Sequence, residues 1–262
     1  FITAKDQDGF LSNFNLSVGI TDEFMRALDE DEVYFLRNPR SGAVTGSLHA
    51  RDVFNLIVTQ AWRTGDPGLV FLDTINRHNP TPHLGAIEST NPCGEQPLLP
   101  WESCNLGSVN LSNMVRDGRL DEERLRRAIR TAVHFLDNVI DINRWPLEET
   151  RRVTLGNRKI GLGVMGFADW LLKLGVPYDS EEGLRLADEV ASILEEESHR
   201  ASGELARARG NFPNYPGSVW EKKGVPMRNA TTVTIAPTGT ISIIAGCSSG
   251  IEPIFAIAFV RN

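Results

Sequence analysis

Residues 89–111 read STNPCGEQPLLPWESCNLGSVNL, the stretch that tells most about both the fold and the chemistry of the chain. Cys93 follows Asn91 by two residues and precedes Glu95 by two. Alternate residues of an extended segment face the same way, so we expect these three side chains to point into one pocket. The proline and glycine that flank Cys93 favour a shaped loop over a core strand.

Such a trio combines a sulfur that can react, a carboxyl group that can act as acid or base, and an amide that can donate a hydrogen bond. The alternative is a structural cysteine buried in a turn, which is the more usual fate of this residue type. A hydrolytic cysteine needs a histidine partner, and His78 or His83 would have to fold back to supply it. Redox chemistry needs a second thiol, for which Cys104 is the candidate.

Helical and strand-like segments alternate on both sides of this stretch. The hydrophobic pattern predicts strands over residues 14–20, 69–72 (buried) and 231–236, and helices over residues 22–31, 47–65, 121–143 and 180–209. Helix starts are indicated by Thr21, Ser47 and an Asp179–Glu182 capping box, and helix ends by Gly65 and Gly210. The arginines at 124, 126, 127 and 130 are expected on a solvated helix face. With no repeat and no flexible linker, the pattern predicts one α/β domain over residues 1–262.

The composition excludes several classes of protein. The 262 residues include 27 Lys+Arg and 34 Asp+Glu, for a net charge of −7, which disfavours nucleic-acid coating but allows individual nucleotides to bind. No apolar run approaches the roughly 20 residues of a membrane span. Three cysteines without a CxxC pair, and five histidines without clustering, predict a reducing cytoplasm, no disulfide framework and no metal site. The start without Met and the stop at residues 257–262 suggest an interior segment of a longer polypeptide.

Residues 161–166 read GLGVMG, a literal GxGxxG. A dinucleotide site would need a strand before it, a helix after it and an acid about 20 residues on, at the end of the next strand. Asp179 has the right distance, but residues 176–178 are too short and too proline-broken to form that strand. We therefore favour tight helix–strand packing and expect no NAD site.

A second loop follows the strand-like run 231–236 and reads PTGTIS. If a helix starts at Thr240 or Ile241, its first N–H groups and its positive dipole end could hold phosphate. The hydroxyl groups in the loop would add donors. A helix start that merely caps itself explains the same residues equally well. The candidate phosphate residues are Pro237, Thr238, Gly239, Thr240, Ile241 and Ser242.

Residues 89–111, together with TIAPTGTISIIAGCSSGIEP at 234–253, resemble the two signature stretches of the ribonucleotide reductase catalytic subunit. The sequence of these stretches is most similar to that of the adenosylcobalamin-dependent (class II) enzymes. Supporting stretches follow in the family's order: NFNLSVGITDEFM (13–25), WRTGDPGLVFLD (62–73), HFLDNVIDIN (134–143) and GLGVMGFADWL (161–171). The resemblance implies a ten-stranded α/β barrel of two half-barrels, with a central finger loop that carries a radical cysteine at its tip.

The resemblance also implies roles for individual residues. Cys93 matches the thiyl-radical cysteine, Asn91 and Glu95 match the pair beside it, and Cys104 matches one of two reducing cysteines. Ser89, Thr90 and residues 237–242 match substrate contacts, the latter to the phosphates. Residues 161–166 fall in a packing segment of the family, and Cys247 has no catalytic counterpart.

The implied reaction converts ribonucleotides to 2′-deoxyribonucleotides. A thiyl radical at Cys93 takes hydrogen from ribose C3′, Glu95 deprotonates the 3′-OH, and Asn91 holds the sugar. Two thiols supply the electrons and end as a disulfide, in a loop that must be shielded from water and oxygen. Implied partners are adenosylcobalamin, a ribonucleoside di- or triphosphate, a thioredoxin-like reductant and a second copy of the chain.

The second reducing cysteine and the nucleotide-effector loops would lie before Phe1, and a cysteine pair that re-reduces the site would lie beyond Asn262. Two alternatives remain open from the sequence. One is a class I catalytic subunit served by a separate metal-radical protein. The other is a non-catalytic nucleotide-binding module.

Overall fold

The computed structural model describes residues 1–7, 9–256 and 258, so the chain end at 257 and 259–262 lies outside the described residues. The described chain mixes helices and strands throughout, which confirms the predicted α/β class. It forms two compact units. The first comprises Phe1–Asn79 and Ala86–Pro100, and the second comprises Pro80–Gly85 and Trp101–Asn262.

The first unit contains, in chain order, β1 (Ser17–Ile20), α1 (Asp22–Asp29), β2 (Val33–Arg37), β3 (Val44–His49), α2 (Ala50–Thr64), β4 (Gly68–Phe71), α3 (Leu72–Arg77), β5 (Ser89–Thr90) and β6 (Pro97–Leu98). Strands β1 and β4 pair in parallel, whereas β2–β3 and β5–β6 are antiparallel pairs. A small core of Ile20, Phe24, Ala27, Leu28 and Ala50 holds α1 and α2 together.

Several local predictions for this unit are confirmed and two are wrong. The Thr21 hydroxyl accepts a hydrogen bond from Phe24 N at 3.2 Å and starts α1, and Gly65 ends α2 with a left-handed φ of 83°. Ser47 lies in β3, where pairing with Phe35 overrides its capping tendency, so the helix begins at Ala50 instead. The run 69–72 does supply a strand, but β4 pairs only with β1 among the described residues, and it is largely exposed rather than buried.

The second unit contains β7 (Asn105–Asn110), β8 (Val115–Arg116), β9 (Arg119–Leu120), α4 (Glu122–Ile142), α5 (Glu148–Asn157), β10 (Ile160–Met165), α6 (Phe167–Leu174), α7 (Glu181–Arg209), α8 (Val219–Lys223) and α9 (Gly239–Ala245). Its core is the predicted stripe of α4 packed against β7, β10 and α7. The stripe residues are all at most 3% exposed: Leu125, Ile129, Val133, Leu136 and Ile140.

Three predictions for this unit need correction. Ser180, whose hydroxyl accepts from Gly183 N at 3.1 Å, caps α7 in place of Asp179. Arg126 and Arg130 do not simply face solvent, because both reach the buried carboxylate of Glu197 on α7. The run 231–236 is extended beside β10 and makes one bridge, Val233 to Leu162, rather than a regular strand.

Strands β7 and β10 pair in parallel, with Asn105 opposite Ile160. The paired strands of the described residues make five separate two-stranded sheets, so the closed ten-stranded barrel stays a prediction. No helix in the described part of the chain has both the length and the apolar character needed to cross a membrane. Within the same residues, no cluster of three or more His, Cys, Asp or Glu side chains is arranged to hold a metal ion.

Candidate active site

Cys93 lies at the tip of the hairpin formed by β5 and β6. Asn91 closes the base of this loop twice. Its N–H donates to Gln96 O at 3.0 Å, and its side-chain Oδ1 accepts from Gln96 N at 2.9 Å. The loop turns at Gly94, whose φ of +88° is strained for any residue with a Cβ, and Gly94 N donates to Asn91 O. The local sequence thus builds a shaped loop, as the flanking proline and glycine indicated.

The three predicted side chains share this loop but differ in exposure. Cys93 is exposed, and Asn91 and Glu95 are half-buried, with Glu95 Oε2 out of contact with solvent. The exposure of Cys93 differs from the shielding that we expected for a radical cysteine. The convergence of the three side chains into one pocket stays a prediction.

Two open cavities of the first unit flank the hairpin. One has a volume of about 470 Å³, and its polar lining includes Asn13, Asn15, Ser17, Ser89, Thr90 and Asn91. The other has a volume of about 530 Å³ and is lined by Cys93, Gly94 and Asp66 among others. Ser89 and Thr90, predicted to contact substrate, therefore lie at the edge of a space large enough for a small ligand.

Two residues near this loop were missed from the sequence: Asn15 bonds the loop, and Asp66 lines the same cavity as Cys93. Asn15 Nδ2 donates to Pro92 O at 2.9 Å and so ties the start of β1 to the Cys93 loop. Asp66 accepts hydrogen bonds from Lys5 Nζ and Leu16 N, and the bond from Lys5 above all lowers the pKa of the Asp66 carboxyl. The only available signal was that both lie in stretches resembling the family, 13–25 and 62–73.

Cys104 belongs to the second unit and lies directly before β7. Its side chain is half-buried, as is that of Cys247, whereas Cys93 is exposed. The preceding residue is anchored, because Ser103 N donates to Thr154 Oγ1 at 3.1 Å. Glu102 is buried and forms an ion pair with Lys159. The sequence reasoning overlooked Glu102 and Lys159, although a glutamate two residues before a candidate reactive cysteine was visible.

The loop at 237–242 also belongs to the second unit. Helix α9 begins at Gly239, earlier than the Thr240 or Ile241 that we predicted, after Thr238 with a left-handed φ of 57°. The Thr238 hydroxyl accepts from Gly250 N at 2.6 Å, and the Ser242 hydroxyl bonds that of Ser249 at 2.9 Å. These two hydroxyl groups therefore hold Ser249 and Gly250 in place.

The phosphate prediction now rests on backbone groups. The first intrahelical bond of α9 runs from Ser242 N to Thr238 O, so the amides of residues 239–241 precede it. Pro237, Gly239, Thr240 and Ile241 are exposed. A Cβ on Gly239 would meet no atom within 4 Å, so a ligand can approach this backbone.

Residues 161–166 serve the tight packing that we favoured. Gly161 and Gly163 lie inside β10, not in a loop after a strand, and a Cβ on Gly163 would lie 2.3 Å from Thr234 O. Gly166 starts α6 with a φ of +71°, where a Cβ would lie 2.6 Å from Asn110 Oδ1. Beside it, burial raises the pKa of the Cys247 thiol, and the Asp169 carboxylate adds to this effect. A raised pKa makes the Cys247 thiol a poorer nucleophile at neutral pH.

Comparison with known families accounts for the whole chain. A family model described as ribonucleotide reductase, barrel domain, matches residues 1–262. The chain belongs to the ribonucleotide reductase barrel-domain family. This confirms the resemblance read from residues 89–111 and 234–253.

Relatives within the ribonucleotide reductases are similar along all or nearly all of the chain. A vitamin B12-dependent ribonucleoside-diphosphate reductase of Thermoplasma acidophilum is 59% identical over 100% of this chain and 34% of its own length. A protein of the same description from Mycobacterium tuberculosis (strain H37Rv) is 53% identical over 100% of this chain and 37% of its own. A ribonucleoside-diphosphate reductase subunit alpha of Chlamydia trachomatis is 32% identical over 92% of this chain and 26% of its own. The chain thus spans about a third of the length of the curated relatives it matches.

Proposed function

We propose that residues 1–262 form one segment of the catalytic barrel of an adenosylcobalamin-dependent ribonucleotide reductase, with the Cys93 hairpin as the central finger loop of a ten-stranded barrel. The observation that carries this proposal is the hairpin itself: Cys93 at its tip, Asn91 clamping its base, and Glu95 on its returning arm. The higher identity to the B12-dependent relatives favours them over the alpha subunits. The names of these relatives favour a ribonucleoside diphosphate as substrate.

The exposed sulfur fits a large radical-generating cofactor. Cys93 is exposed and lines an open cavity of about 530 Å³, so its sulfur is accessible to a bound group. When bound, adenosylcobalamin supplies the radical that removes the hydrogen atom from the Cys93 thiol. Because the relatives are about three times as long, we assign the shielding of Cys93 to the rest of the full-length protein and to bound ligands.

Each of the four candidate catalytic residues then has a separate role in the reaction. The Cys93 thiyl takes the hydrogen atom from ribose C3′ and returns it at the end. Glu95 accepts the 3′-OH proton while the 2′-OH leaves as water, and Asn91 orients the sugar. The Cys104 thiol and a second thiol of the full-length protein lose two electrons and two protons and form a disulfide. A thioredoxin-like protein of the cytoplasm reduces that disulfide again.

Substrate binding falls to two groups of residues. Ser89 and Thr90 contact the nucleoside from the cavity beside the hairpin. Residues 237–242 hold the phosphates through the amides at the start of α9. The resemblance further implies a homodimer, which light scattering on the full-length enzyme tests.

The decisive experiment compares cysteine variants of the full-length enzyme. Exchange of tritium between solvent and the 5′-carbon of adenosylcobalamin is measured beside deoxynucleotide formation, with Cys247→Ser as the matched control. Cys93→Ser should abolish both, because an O–H bond is too strong for hydrogen abstraction at this position. Cys104→Ser should keep the exchange and lose product, because the reducing dithiol is gone.

Three results would count against the proposal. Product from Cys93→Ser would show that another residue carries the radical. The class I alternative would be favoured if the wild type shows no tritium exchange but forms product when a metal-radical partner protein is added. A wild type that binds nucleotide but shows neither tritium exchange nor product formation would favour the non-catalytic nucleotide-binding module.

A further inference from the structure

A buried polar cluster lies directly before strands β7 and β10. The Lys159 ammonium bonds Glu102 Oε2 at 2.7 Å, and the two side chains are 1% and 0% exposed. Asn157 Nδ2 donates to Glu102 Oε1 at 2.6 Å, and Asn214 Nδ2 donates in turn to Asn157 Oδ1 at 2.9 Å. Both carboxylate oxygens of Glu102 are thus held by defined donors.

Stability alone does not explain this pair. Removing two charges from water costs several kcal/mol per ion, and well-packed apolar residues of similar volume often serve a fold as well or better. The second unit already has a large apolar core around α4. A buried ion pair of this kind therefore points to a requirement for fixed geometry.

The ion pair is close to Cys104 along the chain and in the β7–β10 register. Glu102 precedes Cys104 by two residues, and Asn105 pairs with Ile160, so Cys104 and Lys159 stand at the equivalent position before their two strands. Ser103 N is bound to Thr154 Oγ1, and Asn105 Nδ2 donates to Leu136 O at 2.9 Å. The residues on both sides of Cys104 are thus anchored to α4, α5 and β10, while Cys104 itself stays half-buried.

We propose that the Glu102–Lys159 pair, oriented by Asn157, is a positioning device for the Cys104 thiol. This inference rests on the proposed function, in which Cys104 must form and release a disulfide with a second thiol. As two S–H bonds break and one S–S bond forms, the two electrons and two protons go to the ribose product and its leaving water. The anchored backbone holds Cys104 in reach through this change, and Glu102 and Lys159 contact no substrate in it.

The test uses Glu102→Gln, Lys159→Met and the double variant in the full-length enzyme. Tritium exchange reports the Cys93 step. Deoxynucleotide formed in a single turnover by pre-reduced enzyme, without external reductant, reports the Cys104 step. We expect the exchange to persist in all variants and the single-turnover rate to fall about 10- to 100-fold, as for a reacting group displaced by about 1 Å.

The double variant separates positioning from stability. It should be more stable than either single variant, because it leaves no uncompensated buried charge. Its single-turnover rate should nevertheless stay low. Glu197→Gln, which removes another buried carboxylate of the same unit, is the matched control and should keep the rate of the wild type. A double variant with the wild-type rate would show that the pair is only structural.

Alkylation keeps the inference testable apart from the proposed function. Iodoacetamide modification of Cys104 is followed by mass spectrometry, with Cys247 as internal reference. Loosening of the anchored segment should raise the relative rate at Cys104 about fivefold in the double variant. An unchanged alkylation rate in the double variant would overturn the inference. A raised alkylation rate in the double variant, together with no tritium exchange in the wild type, would overturn the proposed function alone.

Discussion

Asn91 stabilises the hairpin in addition to its proposed contact with the sugar. Its Oδ1 accepts from Gln96 N, and its backbone bonds Gln96 O and Gly94 N. The alternation of Asn91, Cys93 and Glu95 indicated one functional loop, but not that the amide oxygen of Asn91 is used to close it. The pairing of β5 with β6 brings Gln96 to Asn91, and that contact depends on where the chain reverses.

A substitution at Gly239 tests phosphate binding. Gly239→Val should weaken nucleotide binding by the full-length enzyme, because a branched side chain would cover the amides at the start of α9. The fold should tolerate it, since a Cβ there meets nothing within 4 Å. Calorimetric titration with a ribonucleoside diphosphate measures the effect, and Ala245→Val at the other end of α9 is the control. Equal affinity in both variants would show that the loop is only a helix start.

Strand β10 is the element on which the second unit is built. It pairs with β7 on one side, and residues 231–234 lie along it on the other, with Leu162 N donating to Thr232 O at 2.8 Å. Gly163 permits this close approach. In this protein the glycines of the GxGxxG pattern allow two backbone segments to approach closely. A motif search alone cannot distinguish such packing glycines from those of a ligand-binding loop.

Gly163→Ala should consequently destabilise the second unit. The new Cβ would stand 2.3 Å from the backbone oxygen of Thr234, which can move only with its whole segment. We expect a loss of about 1–3 kcal/mol in the free energy of unfolding, typical of overpacking. Urea denaturation followed by tryptophan fluorescence measures it. Gly107→Ala on β7, where a Cβ would make ordinary contacts at 3.5 Å or more, is the matched control, and equal losses in both variants would contradict the explanation.

At the scale of the whole molecule, buried acids join distant parts of the chain. Glu197 on α7 binds Arg126 and Arg130 of α4 and also Arg200. Asp137 on α4 binds Arg158, Arg209 and Arg228, and Asn229 Nδ2 donates to it at 3.1 Å. Apart from the Glu197–Arg200 pair within α7, these contacts join residues 21 to 92 positions apart, so they form only once those segments have packed together.

Of these two acids, Glu197 predicts how stability depends on pH. Burial raises the pKa of Glu197, but hydrogen bonds from Arg200, Arg130 and Arg126 outweigh it, and the pKa is lowered overall from its ordinary 4.5. A lowered folded pKa stabilises the protein above about pH 4.5, and this contribution is lost as the pH falls through the folded value. Glu197→Gln should therefore flatten the acid side of the stability profile.

Urea unfolding between about pH 3 and pH 7 checks this expectation. Glu204→Gln, an exposed acid on the same helix, is the matched control. A Glu197→Gln profile with the same acid slope as the control would contradict the assignment.

The sequence alone determined the features that depend on neighbours along the chain. The apolar stripe of α4, the Thr21 cap and the end of α2 at Gly65 follow from helical periodicity and local hydrogen bonds. The family, and with it the candidate roles of Cys93, Asn91, Glu95 and Cys104, also came from contiguous residues.

Only the tertiary structure decided the features that depend on distant partners. It showed that Ser47 pairs in a strand, that Asn15 holds the Cys93 loop, and that Glu102 meets Lys159 beside Cys104. Those contacts join residues 12 to 77 positions apart, and no local pattern specifies which distant groups will meet. Burying a charge is favourable only when its partner arrives with it, so such pairs exist only once the chain has folded.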